Sequence, residues 1–169
     1  MVLLKGPRGH GAQARRPSVV RPLSTPGGHC HEQGNPPLAT ALGSTACLQG
    51  SAVLFASAIE VINTLAAAKS AGRLKAELKK YTKPALLILD ELGYLPIDKT
   101  GADLLFQVIS LRDEQGAIIM TSNRAFKEWP VIFNHDSTLT SAVLDRLLHH
   151  ADTIIIEGKS FRMKDQIES

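Results

Sequence analysis

Three polar residues stand where buried strands run out. Asp90 and Glu91 close the apolar run Ala85-Leu86-Leu87-Ile88-Leu89, and Asn123 closes Ala117-Ile118-Ile119-Met120-Thr121-Ser122. An Asp at the end of a buried strand can hold Mg²⁺, directly or through water. A following Glu can polarise the water that attacks a γ-phosphate. An Asn on a neighbouring strand can orient that water or touch the phosphate. Positioning and electrostatics are most of what phosphoryl transfer asks of a protein.

Such residues need a scaffold that brings strand ends side by side. From Pro37 onward the apolar pattern is regular. Residues 38–48 read as a helix, which Gln49-Gly50 ends. Ala52-Val53-Leu54-Phe55-Ala56 suits a short buried strand. Residues 57–81 have helical spacing at Ile59, Ile62, Leu65, Ala66, Leu74 and Leu78, with a break marked by Gly72. Lys75, Lys79 and Lys80 favour a helix C-terminus there. Strands at 85–91, 117–123 and 153–157 alternate with helices at 99–114 and 138–149. Runs as apolar as 85–89 want burial on both faces. The alternation predicts an α/β fold with a parallel sheet, in which ligands bind at the carboxyl ends of the strands. Asp90, Glu91 and Asn123 all fall at such ends. Four apolar residues followed by Asp-Glu form the Walker B pattern. Alone that pattern is only moderately specific, since any buried strand emerging into a polar loop could end this way.

Residues 1–36 differ in kind. They contain six Gly, five Pro and three His, with no sustained apolar period, and read as irregular or disordered, with a weak candidate strand at Ser18-Val19-Val20. Five cations against Glu32 give this stretch a net +4, while the rest of the chain has 14 basic and 15 acidic residues. The chain's +3 and pI near 9.0 are therefore read as properties of the tail. His29, Cys30 and His31 are too few and too crowded for a zinc site, and two cysteines make no disulfide scaffold. No long apolar run predicts a membrane span, and the apolar start is too short for a signal peptide. The expectation is a cytoplasmic protein with no membrane partner.

Several strings together resemble a known family. They are Leu89-Asp90-Glu91-Leu92-Gly93-Tyr94-Leu95-Pro96, Gly101 through Ser110, Thr121-Ser122-Asn123, Glu128-Trp129, and Leu144 through His150. In this order they resemble the IstB family over residues 37–165. These are AAA+ ATPases of IS21-type insertion sequences, related to the DnaC helicase loader. The resemblance implies a P-loop NTPase core of three layers, ATP and Mg²⁺ as cofactors, and self-assembly into a homo-oligomer on double-stranded DNA. It also implies stimulation of a partner transposase. Asp90 resembles the Walker B metal residue, Glu91 the catalytic glutamate and Asn123 sensor 1. Arg146 resembles the arginine that reaches a neighbouring subunit's nucleotide; outside that context it reads as a helix-surface arginine paired with Asp145 or Glu157. Trp129 and Phe133 read as packing residues rather than nucleic-acid stackers. Arg162 could approach nucleotide or DNA.

The phosphate-binding half is not legible. A P-loop needs G-x-x-x-x-G-K-[ST] between a strand and a helix, so that backbone N–H groups wrap the phosphates and the Lys neutralises them. Counting back from Leu38-Ala39-Thr40-Ala41-Leu42-Gly43, only Gly34 matches. The lysine position falls on Asn35 and the Ser/Thr position on Pro36. Residues 15–28 hold no apolar strand to fill the place between the sensor 1 strand and the last strand. The expectation is an atypical segment at 1–36 and a partial AAA+ core at 37–169, with the first strand and Walker A loop missing or degenerate, as in a truncated or frameshifted copy. Its expected role is that of an ATP-binding helper of transposition impaired in hydrolysis. The alternatives are a non-catalytic module that binds transposase or intact ATPase subunits, and a DnaC-like helicase loader.

Overall fold

The computed structural model describes residues 1–6, 37–113, 115–149 and 151–155. Its strands are β1 (Val2–Lys5), β2 (Val53–Ser57), β3 (Leu86–Leu92), β4 (Ala117–Ser122) and β5 (Ala151–Ile154). They form one sheet in the order β2-β3-β4-β1-β5. Its helices are α1 (Pro37–Leu48), α2 (Ala58–Ser70), α3 (Leu74–Thr82), α4 (Lys99–Arg112), α5 (Trp129–Ile132) and α6 (Ser137–Leu148). β2, β3 and β4 are parallel, while β1 is antiparallel to both β4 and β5. Four of the five strands therefore point the same way.

Alternation along the strands builds three layers. Leu86 and Ile88 of β3 and Ile119 of β4 join Val2 and Ala39 in a cluster under α1. Leu87, Leu89, Ile118 and Met120 turn to the other face, where α2, α4 and α6 bury Leu65, Leu105, Val108 and Val143 against them. Each of α4 and α6 begins at an aspartate. Asp98 accepts from the Gly101 N–H and Asp136 from the Leu139 N–H, each at 2.8 Å, satisfying donors that a helix start leaves without intrahelical partners.

Two expectations change. Residues 2–5 are a strand, not irregular chain, and they fill the place between β4 and β5 for which residues 15–28 had offered nothing. β5 lies at 151–154 instead of 153–157, and it pairs with this new neighbour. The candidate strand at 18–20 and the His29-Cys30-His31 group lie outside the described residues. The remaining elements fall within two residues of expectation. Gly72, at φ +68°, separates α2 from α3 as its position suggested. The short α5 and the single 3₁₀ turn Phe126–Glu128 before it carried no periodic signal. They seat Trp129 and Phe133, both fully buried, against each other and against Phe126, so both pack the core as expected.

Candidate functional site

The carboxyl edge of the sheet collects the residues the sequence singled out. β3 and β4 keep register from Leu86↔Ala117 to Leu89↔Met120, then shift before Leu92↔Ser122. Three steps along β3 thus match two along β4, a bulge that re-aims a side chain. The extra residue falls beside Glu91, whose φ is +61°, a left-handed conformation that costs a non-glycine residue of order 1 kcal/mol or more. The result is a split pair. Asp90 stays 3% exposed, while Glu91 faces outward between buried neighbours.

Thr121 holds this arrangement. Its Oγ1 donates to Asp90 Oδ1 and accepts from the Glu91 N–H at 3.1 Å. One hydroxyl thereby fixes the buried carboxylate and stitches the left-handed residue to β4. Sequence reasoning had quoted Thr121 only as part of a string. The signal available was its place two residues before Asn123 on the strand beside Asp90. Asn123 is the first residue beyond β4 and is exposed. Ser57 stands opposite Asp90 on β2. The described residues thus bring Asp90, Glu91 and Asn123 to one edge.

The chain beyond β3 turns at Gly93, φ +93°, where a Cβ would lie 2.7 Å from Ile132 Cδ1 and 2.9 Å from Arg124 Cγ. Only glycine fits both that conformation and that space. Arg124 Nε donates to the Gly93 carbonyl at 3.5 Å, tying the loop after Asn123 to the loop after Glu91. Tyr94 and Leu95 then stand 69% and 59% exposed. Beside them runs a shallow groove of about 100 Å³, lined by Ile59, Ile62, Glu91, Tyr94 and Leu95 among others. Sites that enclose a small ligand usually span roughly 300–1,000 Å³, so this groove by itself does not enclose a nucleotide.

Arg146 is not brought to this edge. It sits in the last turn of α6, with its guanidinium 4.7 Å from the centroid of the Phe106 ring, a cation–π contact. Its backbone carbonyl accepts from Lys5 Nζ, and Lys5 pairs with Ile118 at the start of β4. Arg146 therefore lies toward the edge opposite Asp90. Lys5 is buried and also pairs with Asp113.

The polarity of β1 matters for the phosphate-binding half. Gly34, Asn35, Pro36 and Arg162 lie outside the described residues. β1, however, leads straight into Gly6-Pro7-Arg8-Gly9-His10-Gly11-Ala12-Gln13. That string has the strand-then-G-x-x-x-x-G order of a P-loop, with Ala12 and Gln13 at the Lys and Ser/Thr positions. Sequence reasoning missed it because it read Val2–Lys5 as irregular. Yet β1 runs antiparallel, with Val2 opposite Thr121 and Lys5 opposite Ile118. Gly6 consequently leaves the sheet at the edge remote from Asp90.

That remote edge is held by Arg112, which sequence reasoning also missed. It is fully buried. Its guanidinium donates to the carbonyls of Tyr81, Pro84, Ala85 and Ala117 at 2.6–3.2 Å. Burial pushes its pKa down to about 10, so it remains a cation at neutral pH. It clamps the starts of β3 and β4 and so sets where their ends emerge. Tyr81, beside it, has its phenol pushed up by burial, against a lowering from the Thr64 side chain.

With that geometry in hand, likeness to known proteins is specific. The model of a family described as IstB-like ATP binding protein matches residues 26–169, a span that starts before the boundary at 37 suggested by the strings. A protein of Bacillus thuringiensis subsp. berliner, described as the ATP-binding protein of insertion sequence IS232, is 44% identical over 132 residues, covering 78% of this chain and 52% of its own length. Its counterpart in insertion sequence IS21 of Pseudomonas aeruginosa is 43% identical over 133 residues, covering 79% and 50%. The chain spans about half the length of the curated relatives it matches. Among solved structures, AMPPCP-bound DnaA from Aquifex aeolicus superposes with a TM-score of 0.54 at 20% identity, over 63% of this chain and 33% of that one. That likeness shows the fold alone, a three-layer α/β core with a mostly parallel sheet.

Proposed function

The chain belongs to the family of IstB-like ATP-binding proteins, and from that premise we propose that it is an ATP-binding helper of a transposase, impaired in hydrolysis. The observation that carries the reading is the pairing at the ends of β3 and β4: a buried Asp90 fixed by Thr121, beside an outward Glu91 on a bulge. Asp90 and Glu91 offer oxygen donors only. Among the described residues no group of three or more His, Cys, Asp or Glu could hold a metal ion by itself. Such a pair suits Mg²⁺, which is commonly held by one or two carboxylates together with substrate phosphates. A bound Mg²⁺ would neutralise phosphate charge. In this reading Asp90 would hold it, Glu91 would polarise the attacking water, and Asn123 would orient that water or touch the phosphate.

Two features weigh against efficient turnover. Neither glycine-bearing string carries a lysine at the P-loop position, which is Asn35 in one and Ala12 in the other. The polarity of β1 also carries Gly6 away from Asp90. Arg146 lies toward the other edge of the sheet, so it can serve a nucleotide only in a neighbouring copy, as cations supplied in trans do for phosphoryl transfer. Assembly with further copies, with double-stranded DNA and with a transposase belongs to the same proposal, as does action in the cytoplasm. No described helix is long and apolar enough to cross a membrane.

The test is binding of a fluorescent ATP analogue with Mg²⁺, beside Asp90→Ala. Saturable binding that the substitution abolishes is the expected result, and absence of saturable binding by the parent chain overturns the reading. A second reading, a non-catalytic module that docks on transposase or on intact ATPase subunits, is favoured by the exposure of Tyr94 and Leu95 next to the carboxylates. Under it the parent chain ignores nucleotide, and Tyr94→Ser with Leu95→Ser weakens association with the transposase.

A further inference from the structure

Folding concentrates charge that the sequence totals hide. Between residues 69 and 83 the chain carries Lys69, Arg73, Lys75, Lys79, Lys80 and Lys83 against the single acid Glu77. All six cations are exposed, and Glu77 is occupied by Lys80 at 2.7 Å. From residue 37 onward the chain as a whole has one more acid than base, so these six cations stand out as a basic cluster in a stretch whose other charges are mostly acidic. The cations are not only a tail property, as the totals had suggested.

Helix geometry sorts the patch. α3 turns Leu74, Leu78 and Tyr81 to the core, positions on one helical face. Lys75, Lys79 and Lys83 recur every four residues, and with Lys80 and Arg73 they cover the opposite half of the helix. Lys83 caps α3 with helical dihedrals, so the row runs unbroken for about 12 Å at ~1.5 Å per residue. Like charges at this spacing repel and destabilise an isolated helix. A solvated face usually alternates sign to avoid that cost; this one does not. At the head of α3, Gly72 leaves bare backbone, with nothing within 4 Å of where a Cβ would stand.

We propose that this face of α3, with the Lys69–Arg73 turn, grips the phosphate backbone of duplex DNA without reading its sequence. The inference rests on the reading that the chain acts on DNA, and names the surface that does so. The chemistry favours a phosphate backbone. Residues 69–83 hold no Asn or Gln for the bidentate pairing that reads adenine, and five of their six cations are lysines, which act as point charges. Their only aromatic, Tyr81, is 8% exposed, so no ring is offered for the stacking that single strands require. Lysine rows supply charge, the sequence-independent part of DNA binding. The row ends at Lys83, beside the start of β3 and remote from Asp90, so duplex and nucleotide need not compete for one edge.

The experiment measures fluorescence anisotropy of a labelled duplex of random sequence with the full chain across a salt series. The variants are Lys75→Gln with Lys79→Gln, and a charge-matched control, Lys99→Gln with Lys127→Gln. Each phosphate contact contributes about 0.9 to the slope of log K against log salt. The α3 variant is expected to bind tens-fold more weakly at 0.1 M salt, with a slope shallower by about 1.8, while the control keeps the parent slope. Far-UV circular dichroism confirms that both remain folded. A parent chain that ignores duplex overturns the DNA reading, and this surface with it. Duplex binding that the α3 variant retains, or that both variants lose equally, overturns the surface alone. Poly-glutamate competing as well as duplex points to an acidic protein partner and overturns the assignment to DNA.

Discussion

Thr121 is the residue on which the two halves of the candidate site meet, and replacing it with valine tests the reasoning directly. Valine keeps the shape and removes the hydroxyl. The change deprives a 3% exposed carboxylate of its donor and the Glu91 N–H of its acceptor. A hydrogen bond to a charged group contributes about 1.5–3 kcal/mol, and a partly buried N–H left without a partner costs about 1–3 more. Relaxation and water entry at this solvent-facing edge offset part of that, so the expected loss is about 3 kcal/mol. Native stability is typically about 5–15 kcal/mol, which makes the loss plain in a urea transition. The single tryptophan, Trp129, is fully buried and reports unfolding by its fluorescence. Thr121→Ser keeps the hydroxyl and gives up one methyl group, worth about 0.8 kcal/mol. The ordering is the test. If valine costs no more than serine, Thr121 does not hold Asp90 and the left-handed Glu91, and the account of the site fails. Under the nucleotide reading, valine also weakens Mg²⁺-dependent analogue binding while serine preserves it.

Arg112→Met should cost about 4 kcal/mol in the same urea assay, because four carbonyls lose a charged donor together. Arg112→Lys should recover less than half of that, since an ammonium cannot reproduce the planar fork; full recovery would show that charge alone matters there. Gly93→Ala should lower the melting temperature by several degrees through strain at φ +93° and overlap with Ile132, and an unchanged melting temperature would deny the tight turn. The Tyr81 phenol is raised above 10.0, chiefly by burial, so the unfolded chain loses this proton first as pH climbs. Its contribution to stability is full below pH 10 and falls away above it. Tyr81→Phe should therefore flatten the alkaline decline in the urea midpoint between pH 9 and 11, and an identical decline in both proteins would refute the assignment.

Much of the core was legible because its signals are local. Apolar runs such as 86–89 and helical spacing such as Leu104, Leu105, Val108 and Ile109 declare their elements without neighbours. The carboxylates at a strand end declare the candidate site in the same way. β1 was not legible, because four residues at the head of a Gly- and Pro-rich stretch have no period of their own. Their strand character comes from two partners, β4 and β5, more than a hundred residues away. The glycine string after it went unread for the same reason. Arg112 was hidden because nothing in an amphipathic helix marks one arginine as buried until four carbonyls close around it.

The sequence by itself determined the order of the longer elements from α1 to α6, the α/β class and the candidate carboxylates, since each follows from residue type and spacing along the chain, and its ordered strings carried the resemblance to the family. Tertiary structure decided the polarity of β1, the bulge that turns Glu91 outward while Asp90 stays buried, the bond from Thr121, and the gathering of lysines on one face of α3. These depend on which strands pair and in what direction. Pairing is set by burial and hydrogen bonding between segments far apart in the chain, and no local pattern encodes it.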